Sequence, residues 1–327
     1  MSAKLSVLYL EPFGGGSHRA FYDGWSSSSS HRFQVLSLPA NHWKWRSRHA
    51  AVTLAEAADK LVGTQEQPQV VVASSMLELA SWRGLVAPEL AHTPAVLYFH
   101  ENQFTYPLSE GQTRDYHYAY SQLLSTFAAD EVWFNSQFHA REFFDAAAEW
   151  LARMPDGQKQ LPRLEKVEKG YQVCPPGISP IGERLRVRGD VGPRPMIGWV
   201  GRWEHDKNPD RFVALIEHLI ASDRDFDLVL LGQRFSRDHP ALKRLSSVAA
   251  DRILFSGYAE SQADYWQWLS RIDIVVSTAQ HEFFGIAVVE AISAGALPCV
   301  PYALAYPEVL AGDMDGSAPP PQKSAAS

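Results

Sequence analysis

The chain has 327 residues, which points to two domains at roughly 150 residues each. Hydrophobic residues make up 46% and charged residues 20%, a globular composition that excludes a disordered or fibrous protein. The net charge of -7 excludes a globally basic nucleic-acid coat and leaves room only for a local basic patch. The two cysteines, Cys174 and Cys299, form no CxxC pair, so neither a cysteine-rich zinc site nor a disulfide framework is expected. The N-terminus lacks a basic start followed by an apolar run, and no apolar stretch reaches the length of a membrane span. With reduced thiols, this predicts a cytoplasmic protein without membrane insertion.

In chain order, apolar runs at 5–10, 33–38, 70–73, 95–100 and 131–135 predict strands. Amphipathic stretches at 50–61, 114–127 and 140–151 predict helices between them. Strand, helix, strand, repeated, means a parallel sheet with helices on both faces. The runs are nearly continuous in apolar residues, as doubly covered strands should be. From 153 to 170 the pattern breaks into charges, prolines and glycines, and one short strand follows at 171–174. Residues 179–195, polar with Gly and Pro, predict a linker. A second series predicts strands at 196–200, 227–231, 252–255, 273–277 and 296–300, with helices at 209–221, 265–270 and 286–294. The expected fold class is α/β: two Rossmann-like doubly wound parallel-sheet domains, 1–178 and 196–312, facing a cleft. Residues 313–327, rich in Pro, Ala and Ser, are expected to form a disordered tail. Ligands of such sheets bind beyond the carboxyl ends of the strands, so the motifs there matter most.

Gly14-Gly15-Gly16-Ser17-His18 follows the first strand. Its glycines let backbone approach a ligand, and a helix N-terminus favours an anion. A dinucleotide fingerprint would need a glycine where Arg19 stands, and a tight strand-to-helix turn also accounts for the run. Arg202 and Lys207 leave the carboxyl end of the strand at 196–200, where two cations can clamp a diphosphate; a solvated charged loop has the same composition. Glu282 and Glu290 are eight apart and fall near one side if the segment is helical, although Gly285 confines the helix to its latter part. Glu290 lies in an otherwise apolar helix; it is either a partly exposed acid or a buried one whose partners include ligand hydroxyls. His100, Glu101 and Asn102 end another strand, and His100 can hydrogen-bond, transfer a proton or serve structure alone. Trp43, Trp45, Arg46 and Arg48 alternate aromatics with cations; this suits bases and phosphates, or a snorkelling surface turn. Asp313-Met314-Asp315 has D-x-D spacing but no strand to hold it, so no metal is expected. Ser136, after Asn135, caps a helix or touches ligand.

Glu282 and Glu290 match the E-x7-E signature of retaining GT-B glycosyltransferases of the glycogen-synthase-like family 4, and Gly201, Arg202 and Lys207 match its G-R-x4-K element. The segments 11–18 and 98–104 resemble the glycosyltransferase-like domain-containing protein 1 group, which are tRNA-queuosine mannosyltransferases. The resemblance covers about residues 5–310 and implies a GT-B fold whose C-terminal end is truncated, because a crossing helix is replaced by the tail. It implies mannose transfer from GDP-mannose to queuosine in the anticodon loop of tRNA, with no cofactor and no metal. By resemblance, Arg202 and Lys207 neutralise the donor diphosphate and Glu290 binds the ribose. Glu282, with backbone N–H groups at Phe284, Gly285 and Ile286, holds the sugar hydroxyls. His100 faces the reaction centre, and Gly15 and Gly16 let the first domain approach the donor. Ser17, His18, Glu101, Asn102 and the 43–48 segment are the expected acceptor contacts. The rival readings are a lipid or small-metabolite acceptor, a non-catalytic nucleotide-sugar or RNA-binding protein, and a nicotinamide oxidoreductase.

Overall fold

The computed structural model describes residues 4–108, 111–178, 194–232 and 240–311. Residues 179–193 of the linker expected at 179–195, the tail at 313–327 and Asp313-Met314-Asp315 lie outside the described residues. The chain divides into two compact units, Met1–Gly177 and Ile178–Ser327.

In the first unit, β1 (Ser6–Glu11) leads into α1 (Gly16–Ser28), then β2 (Arg32–Ser37) and α2 (Trp43–Asp59). Next come β3 (Val70–Ser74), α3 (Leu79–Leu85), α4 (Pro88–Ala91) and β4 (Ala95–Phe99). The unit closes with α5 (Tyr116–Ala128), β5 (Glu131–Phe134), α6 (Gln137–Arg153), α7 (Leu161–Glu168) and β6 (Gln172–Val173). All strands are parallel, in the order β2-β1-β3-β4-β5-β6. Every residue of β1 and β4 is buried, which is why those runs are apolar throughout, whereas edge strand β2 is only half-buried. Phe99, Phe134 and Phe143 stack with each other in the core.

Two expectations change here. Residues 153–170 are not irregular: a 3-10 turn at Gly157–Gln160 runs into α7, which has Pro162 in its first turn and Leu164 buried. Proline is tolerated there because a first-turn N–H has no helical partner. The 43–49 segment is not a surface turn but the first two turns of α2. Its apolar periodicity starts only at Ala50, so the pattern conceals the true start.

In the second unit, β7 (Met196–Val200), α8 (Pro209–Ala221), β8 (Asp227–Leu231), α9 (Pro240–Val248) and β9 (Ile253–Gly257) form one half. The other half is α10 (Gln262–Arg271), β10 (Ile274–Val276), α11 (Ile286–Ser293), β11 (Leu297–Cys299) and α12 (Tyr306–Ala311). This parallel sheet has the order β11-β10-β7-β8-β9. β11 is apolar yet exposed at the edge, so it departs from the doubly covered strand its composition suggests.

Strand order reverses between β1 and β3 in the first sheet, and between β7 and β10 in the second. At such a point the connecting loops diverge to opposite faces and open a crevice at the carboxyl ends. Phe134 is fully buried. Phe134→Ala should destabilise the first unit by about 3–5 kcal/mol, measured by chemical denaturation.

Candidate active site

In the second unit the loop after β7 carries Arg202 and Lys207, and the loop after β10 carries Glu282. A 3-10 turn at His205–Lys207 shapes the first loop, and Asn208, at φ 51, caps α8. The two loops are stitched together by backbone. Gln280 and His281 donate their N–H groups to the Asp206 carbonyl at 2.9 and 3.3 Å. Thr278 Oγ1 lies 3.0 and 2.9 Å from the carbonyl oxygens of Lys207 and Asn208.

The side chains then form one ionic network. Lys207 Nζ donates to Glu282 Oε2 at 2.9 Å and to the His281 carbonyl at 3.2 Å. It also lies 3.2 Å from Asp206 Oδ2, which is 3.6 Å from Arg202 Nη2. Arg202 Nη1 reaches Glu204 at 2.7 Å. Burial disfavours the charge on Lys207, but Glu282 and Asp206 outweigh it and hold the ammonium well above its usual range. Burial likewise opposes ionisation of Glu282, and Lys207 with the Phe284 and Gly285 N–H groups overcomes it, so its pKa falls. Both are therefore charged at neutral pH. Asp206 is buried, and its Oδ1 has no hydrogen-bond partner among the described residues.

Gly285 starts α11 in the left-handed region at φ 84, and a Cβ there would fall 2.8 Å from the Tyr306 ring. That turn puts the Phe284 N–H 3.5 Å from Glu282 Oε1, while Phe284 and Gly285 are buried and Ile286 is partly buried. Glu282 precedes α11 and Glu290 lies on it, so the two acids do not share a helical side as the spacing suggested. Glu290 instead accepts a 2.6 Å hydrogen bond from Tyr265 of α10, and burial raises its pKa.

In the first unit, Glu11 ends β1 with no exposed surface. Its Oε1 accepts from the Phe13 N–H at 2.9 Å and Ser74 Oγ at 3.1 Å, bridging β1 to β3 across the reversal of strand order. Its Oε2 lies 3.0 Å from His18 Nδ1. The His18 ring stacks on His100, with centroids 4.1 Å apart, and His100 Nε2 lies 3.2 Å from the Tyr9 hydroxyl. Burial disfavours the His18 cation, yet the Glu11 charge and hydrogen bond raise its pKa. Burial, then His18 and His139, push His100 well below the ordinary imidazole range. The two stacked rings are thus shifted in opposite directions, His18 up and His100 down. Glu11, His18 and His100 offer three ligand atoms within 4.8 Å of one another, the spacing of a metal site. The carboxylate is already engaged by the Phe13 N–H, Ser74 Oγ and His18 Nδ1.

The remaining expected residues are placed as follows. Gly15 packs tightly, since a Cβ would meet Ala40 Cβ at 2.3 Å, while Gly16 adopts φ +54 in open space. Ser17 is exposed. Asn102 is buried and its Oδ1 holds the Thr105 turn. The Glu101 carbonyl accepts from Ser75 Oγ at 3.0 Å. Asn135 Nδ2 donates to the His100 carbonyl at 3.1 Å, and Ser136 caps α6. Trp43 and Trp45 are exposed; Arg48 lies over the Tyr118 ring at 4.8 Å, and Arg46 donates to Asn41 at 3.2 Å. Sequence reasoning passed over Glu11, Asp206, Tyr9 and Tyr265. Only Glu11 left a signal, as an acid closing an otherwise apolar strand.

Two parallel α/β units with these loop constellations define a GT-B glycosyltransferase. Solved structures agree on the fold. The starch synthase IV catalytic domain of Arabidopsis thaliana aligns with a TM-score of 0.63 at 12% identity, covering 97% of this chain and 87% of that one. A trehalose-phosphate synthase from Burkholderia xenovorans aligns at 0.61 and 10% identity, covering 93% and 86%. Residues 194–326 match the group 1 glycosyl transferases, and residues 6–178 match the tRNA-queuosine alpha-mannosyltransferase N-terminal domain. The tRNA-queuosine alpha-mannosyltransferase of Drosophila melanogaster is 35% identical over 94% of this chain and 82% of its own length. The chain belongs to the tRNA-queuosine alpha-mannosyltransferase family. A GDP-mannose:cellobiosyl-diphosphopolyprenol alpha-mannosyltransferase of Xanthomonas oryzae is 25% identical over 42% of this chain and 34% of its own. Among the described residues, no helix is long and apolar enough to cross a membrane.

Glu11→Gln should lower the His18 pKa, read as an earlier imidazole titration by NMR. A raised folded-state pKa stabilises the fold fully below about 6.5, and that contribution is lost as pH rises through the folded value. The stability gap between wild type and Glu11→Gln should therefore shrink above that value.

Proposed function

We propose that this chain transfers mannose from GDP-mannose to queuosine in tRNA with retention of configuration. The observation that carries the proposal is the Arg202–Asp206–Lys207–Glu282 network in a chain of this family: two fixed cations beside the loop that precedes α11. Glycosyl transfer passes through an oxocarbenium-like state while negative charge grows on the leaving diphosphate. Arg202 and Lys207 stabilise that charge, and removal of one such contact costs about 3 kcal/mol of barrier. Glu290 receives the ribose hydroxyls, with Tyr265 orienting its carboxylate. Glu282 and the N–H groups at Phe284, Gly285 and Ile286 hold the sugar, and His100, neutral at working pH, hydrogen-bonds it. Gly15 and Gly16 allow close approach of backbone to the donor.

The sugar–phosphate C1–O bond breaks and its electron pair stays on the diphosphate. The acceptor hydroxyl oxygen bonds to C1 on the same face, and its proton passes to the departing phosphate oxygen. No step needs a resident cofactor, a metal or an enzyme nucleophile. Trp43, Trp45, Arg46 and Arg48 contact the anticodon loop, with Ser17, His18, Glu101 and Asn102 on the acceptor side. A tRNA acceptor fits a cytoplasmic location.

Incubation with GDP- and UDP-sugars and queuosine-containing tRNA, read by nucleoside mass spectrometry, should show a hexose mass gain with GDP-mannose alone. Lys207→Ala should slow that gain about 100-fold or more. Gain from another donor, or none from any, would refute the proposal. Replacing Trp43, Arg46 and Arg48 together by alanine should weaken tRNA binding and leave GDP-mannose binding unchanged, measured by calorimetry with each ligand; equal loss of both would mean misfolding.

A further inference from the structure

A pocket in the first unit lies among the start of α2, the loop after β3 and α5, and its lining includes Trp43, Arg48, Ser75, Glu78, Gln103 and Tyr118. Its walls are aromatic: the Trp43 and Tyr118 rings are 5.0 Å apart, and Trp43 keeps 36% of its surface open. Arg48 rests on the Tyr118 ring and Lys44 lies over Trp43, so cations border the aromatic walls. No acid interrupts α2 before Glu56.

Glu78 is the one carboxylate in this lining. It stands at the N-cap of α3, yet its side chain makes no capping bond and has no hydrogen-bond partner among the described residues. Ser125 Oγ accepts the Leu79 N–H at 2.9 Å in its place. Glu78 is partly buried, and its carboxylate has no hydrogen-bond donor among the described residues. The pocket floor is tied to the peptide that follows His100. Ser75 Oγ and Gln122 Nε2 both reach the Glu101 carbonyl, and the Gln103 N–H donates to Gln122 Oε1 at 2.7 Å.

We propose that this pocket seats the base of the acceptor nucleotide, with Glu78 accepting the ring N–H and the exocyclic amino group of its guanine-type edge. The inference rests on queuosine being the acceptor. Queuosine is a 7-deazaguanine nucleoside, so its Watson–Crick edge offers adjacent N–H donors that match the two oxygens of one carboxylate. Stacking against Trp43 tolerates any base, and the carboxylate supplies the selection. The flanking phosphates meet Lys44 and Arg48. A base held here is fixed relative to His100 through the Ser75–Glu101 and Gln103–Gln122 bonds.

The test uses anticodon stem-loop RNAs with guanosine or inosine at the acceptor position; inosine lacks only the exocyclic amino group. Binding is read by fluorescence anisotropy with the full chain, without donor. Wild type should bind the guanosine RNA about tenfold tighter or more, and Glu78→Gln should bind both RNAs equally. Equal binding of the two RNAs by wild type overturns the proposal without any variant, as does a preference that survives in a folded Glu78→Gln chain. Binding of neither RNA also overturns the base pocket, while the tRNA-acceptor reading stands or falls separately on the queuosine-containing tRNA assay above. RNA binding without the guanosine preference overturns the base pocket alone.

Discussion

The Lys207–Glu282 ion pair joins the loop after β7 to the loop after β10, across the line where the second sheet reverses its strand order. Burial opposes both charges, and each group supports the other's, with Asp206 aiding Lys207 and the Phe284 and Gly285 N–H groups aiding Glu282. A half-buried charge that lost its partner would pay desolvation with no return. Asp206 takes part twice, by backbone with Gln280 and His281 and by carboxylate with both cations. One short segment therefore sets the spacing of the two cations before any ligand arrives. Preorganised charge of this kind stabilises a transition state without reorganising at the moment of reaction.

The first sheet solves the same problem with different chemistry. Glu11 is wholly buried at its own reversal point and is engaged by the Phe13 N–H after β1, Ser74 of β3 and His18 of α1. The histidine it holds stacks on His100, and the two pKa values move apart, His18 upward and His100 downward. Burial is the main cause of the lowered His100 pKa, and the Tyr9 hydroxyl lies 3.2 Å from its Nε2.

Helix α2 trades local stability for surface chemistry. Its N-cap residue, His42, is left-handed at φ 50 and makes no side-chain cap, and Lys44, Arg46 and Arg48 occupy the positive end of the helix. Cations there cost about 0.3–1 kcal/mol each. The helix tolerates this because Ala50, Ala51, Leu54, Ala55 and Ala58 anchor its later turns in the core. Trp43 and Arg48 of the first turns line the pocket that also holds Glu78.

Alternating apolar and amphipathic runs were enough to determine two parallel α/β sheets, because burial on both faces leaves strands apolar from end to end. The G-R-x4-K element and the first acid of E-x7-E likewise placed Arg202, Lys207 and Glu282 at carboxyl ends, since loops that leave a strand are local in sequence. The start of α2, helix α7 and the exposure of β11 were not legible, because each depends on what packs against the segment rather than on its own period. The pairings were hidden for the same reason. Glu11 meets Ser74 and Lys207 meets Glu282, 63 and 75 positions apart in sequence, only once the crossovers fold the chain back. Residue type states which groups need a partner once buried; only the topology, by bringing two loops to one reversal of strand order, decides which partner they receive.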